Sequence, residues 1–222
     1  MKPFPTLYVA SANAHKLEEI HTILGKEFSL VSMQTLGKVP ELIENEDTFE
    51  GNALAKATQL AAWMLREGLG DAPWMTLADD SGLEVDGLDG QPGVKSARFA
   101  ADETQSIGNA PDEANNAKLL RLLDGVPIER RTGRFRCSLA LFQPTLGERD
   151  SQFWSFEGAC EGVLRDQLSG AHGFGYDPLF QPQGYHHTFG ELGSEIKDQI
   201  SHRSRALHQL KDFFVSSYPS LP

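Results

Sequence analysis

The runs RFRCSLALF at 134–142 and FWSFEGACEGVL at 153–164 read as two long β-strands with only a short connection between them, so they are expected to pair as antiparallel neighbours. Such a pair rules out an all-helical fold and a purely parallel sheet. Upstream the pattern changes. TLYVA at 6–10 reads as a short buried strand, and HKLEEIHTIL at 15–24 places apolar residues at 17, 20, 23 and 24, a helical period that Gly25 stops. EFSLVSM at 27–33 is a second strand. Asp47, three residues before Glu50, resembles a capping box opening the next helix. There Ala53, Leu54, Ala57, Leu60, Ala61, Met64 and Leu65 form the apolar stripe, with Asn52, Lys56, Gln59 and Trp63 on a different face and Gly68 at the end. WMTLA at 74–78 is a strand, DEANNAKLLRLL at 112–123 a helix capped by Asp112, and SHRSRALHQLKDFF at 201–214 a closing helix. Alternation early and paired strands late predict an α/β fold with a mixed sheet.

An apolar content of 40% over 222 residues supports a substantial core. The apolar runs fall far short of the ~20 residues of a membrane span. The N-terminal stretch lacks a secretory pattern, and two cysteines, Cys137 and Cys160, make neither a disulfide framework nor a zinc quartet. A cytoplasmic setting is therefore expected. The formal charge of −11 offers no basic face to a nucleic acid.

SANAHK at 11–16 lies between a strand and a helix, where unpaired N–H groups and the positive end of the helix dipole favour an anion. Ser11 and Asn13 can donate and Lys16 lies in the first turn, although the same stretch also fits an ordinary capped helix start. No Walker A pattern occurs. LADDSGLEVDGLDG at 77–90 packs five carboxylates, Asp79, Asp80, Glu84, Asp86 and Asp89, into fourteen residues. Like charges repel, so this is either a solvated turn or a place for a cation. The spacing fails as an EF-hand, whereas Mg²⁺ takes one or two carboxylates together with water and substrate phosphates. Asp79 and Asp80, at a strand end, suit that; the other three are expected in solvent, with Gly82, Gly87 and Gly90 making turns. In GFGYDPLF at 173–180, Phe174 between glycines suits stacking on a base, and Tyr176 reads equally as a core plug. His202, Arg203 and Arg205 put positive charge at the wrong end of a helix dipole, which fits either a ligand in front of the helix or arginines in water.

Taken in order, SANAHKLEEI, TFEGNALAKA, ADDSGLEVDGLDGQPGVKSAR, GFGYDPLF and Lys197 with SHRSRAL resemble the motifs of the inosine/xanthosine triphosphate pyrophosphatases, from about residue 6 to 212. The resemblance implies a single domain over 1–222: an elongated, two-lobed α/β molecule around a long mixed β-sheet, with the nucleotide in the cleft between the lobes. It also implies a homodimer and Mg²⁺-dependent hydrolysis of dITP, ITP and XTP to the monophosphate and pyrophosphate. Carried over by motif, Ser11, Ala12, Asn13, Ala14, His15 and Lys16 would hold the triphosphate, with Lys16 and Lys56 as catalytic cations. Asp80 would be general base and metal ligand, and Ser81 would touch substrate. Phe174, Gly175, Tyr176 and Asp177 would shape the base pocket, and Lys197, His202 and Arg203 would contact the base, with Arg203 as donor to a 6-keto oxygen. The second metal carboxylate is assigned to Glu44, with Glu41 and Glu46 as rivals.

The chain departs from the family pattern at Ala12 and His172, where glycine is common, at Gly51, where glutamate is frequent, and in the histidine-rich GYHHTFGEL at 184–192. His186 and His187 there are expected in solvent. Two rival readings remain. A pyrimidine triphosphate pyrophosphatase is disfavoured by the complete SHR motif with Lys197. A non-catalytic nucleotide sensor is disfavoured by intact Asp80, Lys16 and Lys56.

Overall fold

The structure, a computed structural model, describes residues 4–71, 73–145 and 150–218. In chain order the elements are β1 (Thr6–Val9), α1 (Ala14–Leu24), β2 (Leu30–Ser32), α2 (Phe49–Arg66), β3 (Trp74–Val85), α3 (Ala101–Thr104), α4 (Asp112–Leu122), β4 (Thr132–Gln143), β5 (Gln152–Leu164), β6 (Phe180–Pro182), α5 (Phe189–Ile200) and α6 (His202–Ser217). The strands form one six-stranded sheet in the order β2-β1-β3-β4-β5-β6. β1 runs parallel to both β2 and β3, and β6 runs antiparallel to β5, so the sheet is mixed. The two long apolar runs at 134–142 and 153–164 are the neighbours β4 and β5; residues 146–149 of their connection lie outside the described residues. Among the described residues no helix is long and apolar enough to cross a membrane.

The chain divides into two compact units, and the three long strands contribute to both. The first comprises 1–80, 137–157 and 203–222. Here side chains alternate across the sheet as the period of two dictates. Leu7, Val9, Met75, Leu77, Cys137, Leu139 and Leu141 join Ile20 and Leu24 of α1 and Leu207, Leu210 and Phe214 of α6 in one core. Tyr8, Ala10, Trp74, Ala78 and Ala140 join Ala53, Ala57, Leu60, Ala61 and Met64 of α2 in another. The second unit, 81–136 and 158–202, has one core, built on Leu83, Val85, Phe135, Cys160, Leu164, Tyr176, Phe180 and Phe189 with Leu119 of α4.

Several local expectations are corrected. β3 does not end at residue 78; it runs on through both aspartates to Val85, and Trp74–Asp80 are all buried. The low strand preference of Asp, Ser and Gly is overridden by packing on both faces and by the cations described below. The turn proper is at 86–89, with Asp89 left-handed at φ 52. Thr48, not Asp47, caps α2, its hydroxyl accepting the Gly51 N–H at 3.0 Å. The supposed second face of that helix is equally buried at Asn52, Lys56 and Trp63, whereas Leu65 is 46% exposed. Asp112 is the first residue of α4 rather than its cap. β2 is confined to three residues. Residues 189–200, to which no element was assigned, form α5, which is broken at Gly193 (φ 76, ψ 178); the signal for its start was Thr188 three residues before Glu191, whose carboxylate accepts the Thr188 N–H at 2.9 Å.

Candidate active site

Adjacent residues on a strand point to opposite faces, so Asp79 and Asp80 enter different environments. Asp79 shares the face of Met75 and Leu77. Lys16 from α1 approaches its Oδ1 at 2.5 Å, and Arg203 from α6 donates through Nε to Oδ2 at 2.8 Å. The Cys137 thiol on β4 adds a contact to Oδ2 at 3.1 Å, and Arg203 Nη1 pairs with Glu19 on α1. Two cations and two carboxylates thus cancel. Burial would raise the Asp79 pKa, but Arg203 and then Lys16 outweigh it and hold this carboxyl well below the usual carboxylate range. Burial also pushes the Cys137 thiol well up, so it stays protonated.

Asp80 faces α2. Lys56 Nζ lies 3.5 Å from Asp80 Oδ1, 3.0 Å from Glu44 Oε1, and donates to the Asp79 carbonyl at 2.8 Å. One cation here meets two carboxylates, leaving negative charge in excess. Asp80 Oδ2 is buried and has no hydrogen-bond partner among the described residues. Burial is the largest influence on Asp80 and raises its pKa, with Lys56 and Lys16 opposing and Glu44 and Asp79 reinforcing. Lys56 is also raised: burial lowers it, but Asp80, Glu44 and Asp79 prevail.

Glu44 owes its position to the polar side of α2. Gln59 takes both the N–H and the carbonyl of Ile43, each at 2.9 Å. Asn52 does the same for Glu46, at 3.0 and 3.2 Å. The segment is gripped on either side of Glu44, which then reaches Lys56; the side chains of Glu41 and Glu46 are exposed. An orphaned buried carboxylate oxygen, a second carboxylate beside it and surplus negative charge suit a hard divalent cation that takes few protein ligands. Among the described residues no group of three or more His, Cys, Asp or Glu converges to hold a metal unaided.

The phosphate-loop candidates precede α1. Asn13 Oδ1 accepts the Lys16 N–H at 3.1 Å, and Asn13 N–H donates to Ser11 Oγ at 3.2 Å, so this stretch caps its own helix. Ala12, Asn13, Ala14 and His15 are exposed, and the side chain of Lys16 is 15% exposed beside Asp79.

The base-pocket candidates gather in the second unit. Asp177 is buried and accepts the Phe174 N–H at 2.9 Å and the Lys197 ammonium at 2.6 Å. Lys197 Nζ stands 4.3 Å from the centroid of the Phe174 ring. Gly173 must be glycine: at φ +78 a Cβ would come within 2.1 Å of Asp177 Oδ2. Tyr176 sits in the core with its hydroxyl on the Ser96 carbonyl at 2.9 Å, and burial raises its pKa further. It can act on a ligand only by shaping the wall. His202 is buried and stacks on Phe135 at 4.9 Å, and Ser81 on β3 is half-buried. Arg203, expected as a donor to a base, is 1% exposed, and its guanidinium reaches Asp79 and Glu19. The histidines at 186 and 187 are exposed.

Sequence reasoning gave no site role to Glu19, Cys137, Asn52, Gln59 or Asn116, although Glu19 and Asn52 lie inside quoted motifs and Asn52 and Gln59 were placed on one helix face with Lys56. The available signal was the presence of buried-type spacing at amide positions, Asn52 and Gln59 two turns apart on one helix.

The chain is similar to known proteins over most of its length. The model of the Ham1 family matches residues 7–213. A dITP/XTP pyrophosphatase of Geobacter sulfurreducens is 47% identical over 207 residues, 93% of this chain and 94% of that protein. One of Shouchella clausii is 40% identical, covering 96% and 98%. Among solved structures, the Staphylococcus aureus Ham1 protein superposes with a TM-score of 0.78 at 32% identity, covering 96% of this chain and 99% of its own. The chain belongs to the Ham1 family.

Proposed function

We propose that this Ham1-family chain hydrolyses non-standard purine nucleoside triphosphates, dITP, ITP and XTP, to the monophosphate and pyrophosphate, with Mg²⁺, as a cytoplasmic homodimer whose two units form one functional domain. The relatives named dITP/XTP pyrophosphatase, matched over nearly their full length, support the reaction and the substrate class. The observation that carries the reading is Asp80: a buried carboxylate with a raised pKa, one oxygen without a partner among the described residues, and Lys56 beside it. A carboxylate kept for structure alone would have both oxygens satisfied, as Asp79 does.

In the first unit, Asp80 accepts a proton from water as the water oxygen bonds to the α-phosphorus and the bond to the leaving pyrophosphate breaks. Burial makes it a better base near neutral pH than an ordinary aspartate. Lys56, with Lys16 at the start of α1, offers positive charge to phosphate oxygens as negative charge moves onto the leaving group. The capped stretch Ser11–His15 presents the helix start to the phosphates. Asp80 and Glu44 would hold Mg²⁺, which when bound neutralises phosphate charge and acidifies water. Arg203 and Glu19 fix Asp79, and Asp79 fixes Lys16.

In the second unit, Phe174 presents a ring face for a purine, and Lys197, anchored by Asp177, supplies a donor beside it. A 6-keto oxygen accepts from such a donor and a 6-amino group does not, a difference of about 1–3 kcal/mol when a buried donor goes unpaired. The charge of −11 favours a free nucleotide over nucleic acid.

The test is incubation with Mg²⁺ and dITP, XTP, dATP or dTTP, measuring pyrophosphate against orthophosphate. Release of pyrophosphate from dITP and XTP is expected. Preference for dTTP would replace the purine reading with a pyrimidine one, and tight binding without turnover would make the chain a sensor.

A further inference from the structure

We propose that Asp112 and Asn116 of α4 are positioning residues that set the height and tilt of the Phe174 ring by clamping the backbone of Gly175, an inference that rests on the base-binding role given to Phe174 above. The two residues stand four apart, one above the other on one helix face. Asp112 Oδ2 accepts the Gly175 N–H at 2.6 Å, and Asn116 Nδ2 donates to the Gly175 carbonyl at 2.9 Å. Both hydrogen-bonding groups of a single loop residue are thereby taken by a single helix.

Three further observations show what the clamp is for. First, Asp112 stands at the helix start, where a carboxylate could cap; α4 has no side-chain cap, and the carboxylate goes to the loop instead. Second, Asn116 is 4% exposed, and its Oδ1 is buried with no partner among the described residues. The acceptor-only Gly175 carbonyl fixes the orientation of the amide, so the fold carries the cost of that oxygen to keep the donor where it is. The neighbouring Asn115 is occupied elsewhere, with Oδ1 accepting the Ala100 N–H at 2.8 Å. Third, the loop needs outside support. Gly173 and Gly175 have φ of +78 and +62, and nothing lies within 4 Å of a Cβ placed on Gly175. Asp177 holds Phe174 at its N–H, and the core holds Tyr176. The clamp fixes the flexible residue between them, so Phe174 is braced on both sides in advance of any ligand. Preorganisation of this kind lowers the ordering cost of binding.

The experiment compares Asp112→Ala, Asp112→Asn and Asn116→Asp with the full-length protein, reading kcat and KM for dITP and the amide exchange rate at Gly175. Asp112→Ala removes the acceptor, and its KM should rise about tenfold or more, the effect of one charge-assisted hydrogen bond, with kcat changed less than about threefold. Asn116→Asp keeps the shape but sets a carboxylate against a carbonyl, and should raise KM similarly. Asp112→Asn keeps an acceptor, and should recover KM to within about threefold of the parent. Gly175 exchange should quicken in Asp112→Ala and Asn116→Asp and stay slow in Asp112→Asn. A purely structural role would instead reduce the active fraction and Tm, lowering kcat at constant KM. The proposal is overturned if Asp112→Ala leaves KM and Gly175 exchange at the parent values, or if Asp112→Asn is as damaging as the alanine variant. Were the parent itself unable to cleave dITP, the proposed function would fall and Gly175 exchange would still decide whether the clamp exists.

Discussion

The two faces of β3 treat neighbouring aspartates in opposite ways. On one, Asp79 meets Lys16, Arg203 and Cys137, its charge is cancelled, and its pKa lies well below the usual range. On the other, Asp80 shares one lysine with Glu44, keeps an oxygen unmet among the described residues, and has a raised pKa. One peptide bond separates a carboxylate whose charge is cancelled from the one we propose for the chemistry. Burial alone does not mark a reactive acid; burial with incomplete compensation does.

The sharpest way to break this contrast is Asp80→Asn. It should lower kcat for dITP by about 10²–10⁴-fold, the usual share of a general base, while circular dichroism stays that of the parent. Parent-like turnover would remove Asp80 from the reaction. Next comes Asp79→Asn, which leaves Arg203 short of its carboxylate. The expected cost is about 3–5 kcal/mol in unfolding free energy, as for a buried pair broken from one side. Denaturant unfolding showing less than about 1 kcal/mol would mean that the Asp79 network is not what holds α1 and α6 to the strand.

Opposite pKa shifts demand opposite pH dependences. Asp79 is depressed, so its contribution is present above the unfolded-state value of about 3.9 and disappears as pH falls through its folded value. Asp80 is raised, so its folded state is favoured while protonated and that favour disappears as pH rises through the folded value. In chelator at pH 7, Asp80→Asn should therefore stabilise the chain, by about 1 kcal/mol or about 2–4 °C in Tm. The gain should vanish below about pH 4, where the parent carboxyl is also neutral. A gain that persisted in acid would have to come from something other than charge.

The smallest effect sets the scale. Glu191 is held at about 2 by the backbone N–H of Thr188 rather than by a buried cation. Glu191→Gln should lower Tm above pH 4.5 by less than Asp79→Asn does, with the difference fading as pH approaches 2. Equal losses from the two variants would dissolve the distinction between a cap and a buried ion pair.

These contrasts bear on what can be read from residues alone. The ends of α1 were legible because Asn13 and Gly25 cap by local chemistry, and β4 and β5 because their apolar content and length leave few alternatives. β3 was cut short because DDSG looks like a turn, and what keeps it a strand comes from Lys16, Lys56 and Arg203, distant in sequence. The chemical candidates were legible as residue types; their division between the two faces was not, although the period of two would have separated Asp79 from Asp80 once the strand was seen to continue. Asp112 was read as a cap for its own helix, since nothing local reveals that a glycine 63 residues away takes its carboxylate.

Gln59, Asn52 and Asn116 grip main-chain atoms. A hand that holds the rope does not care about its colour. Ile43 and Glu46 can thus exchange side chains over evolutionary time and still leave Glu44 where it is, because their main chain, and not their side chains, is what α2 holds.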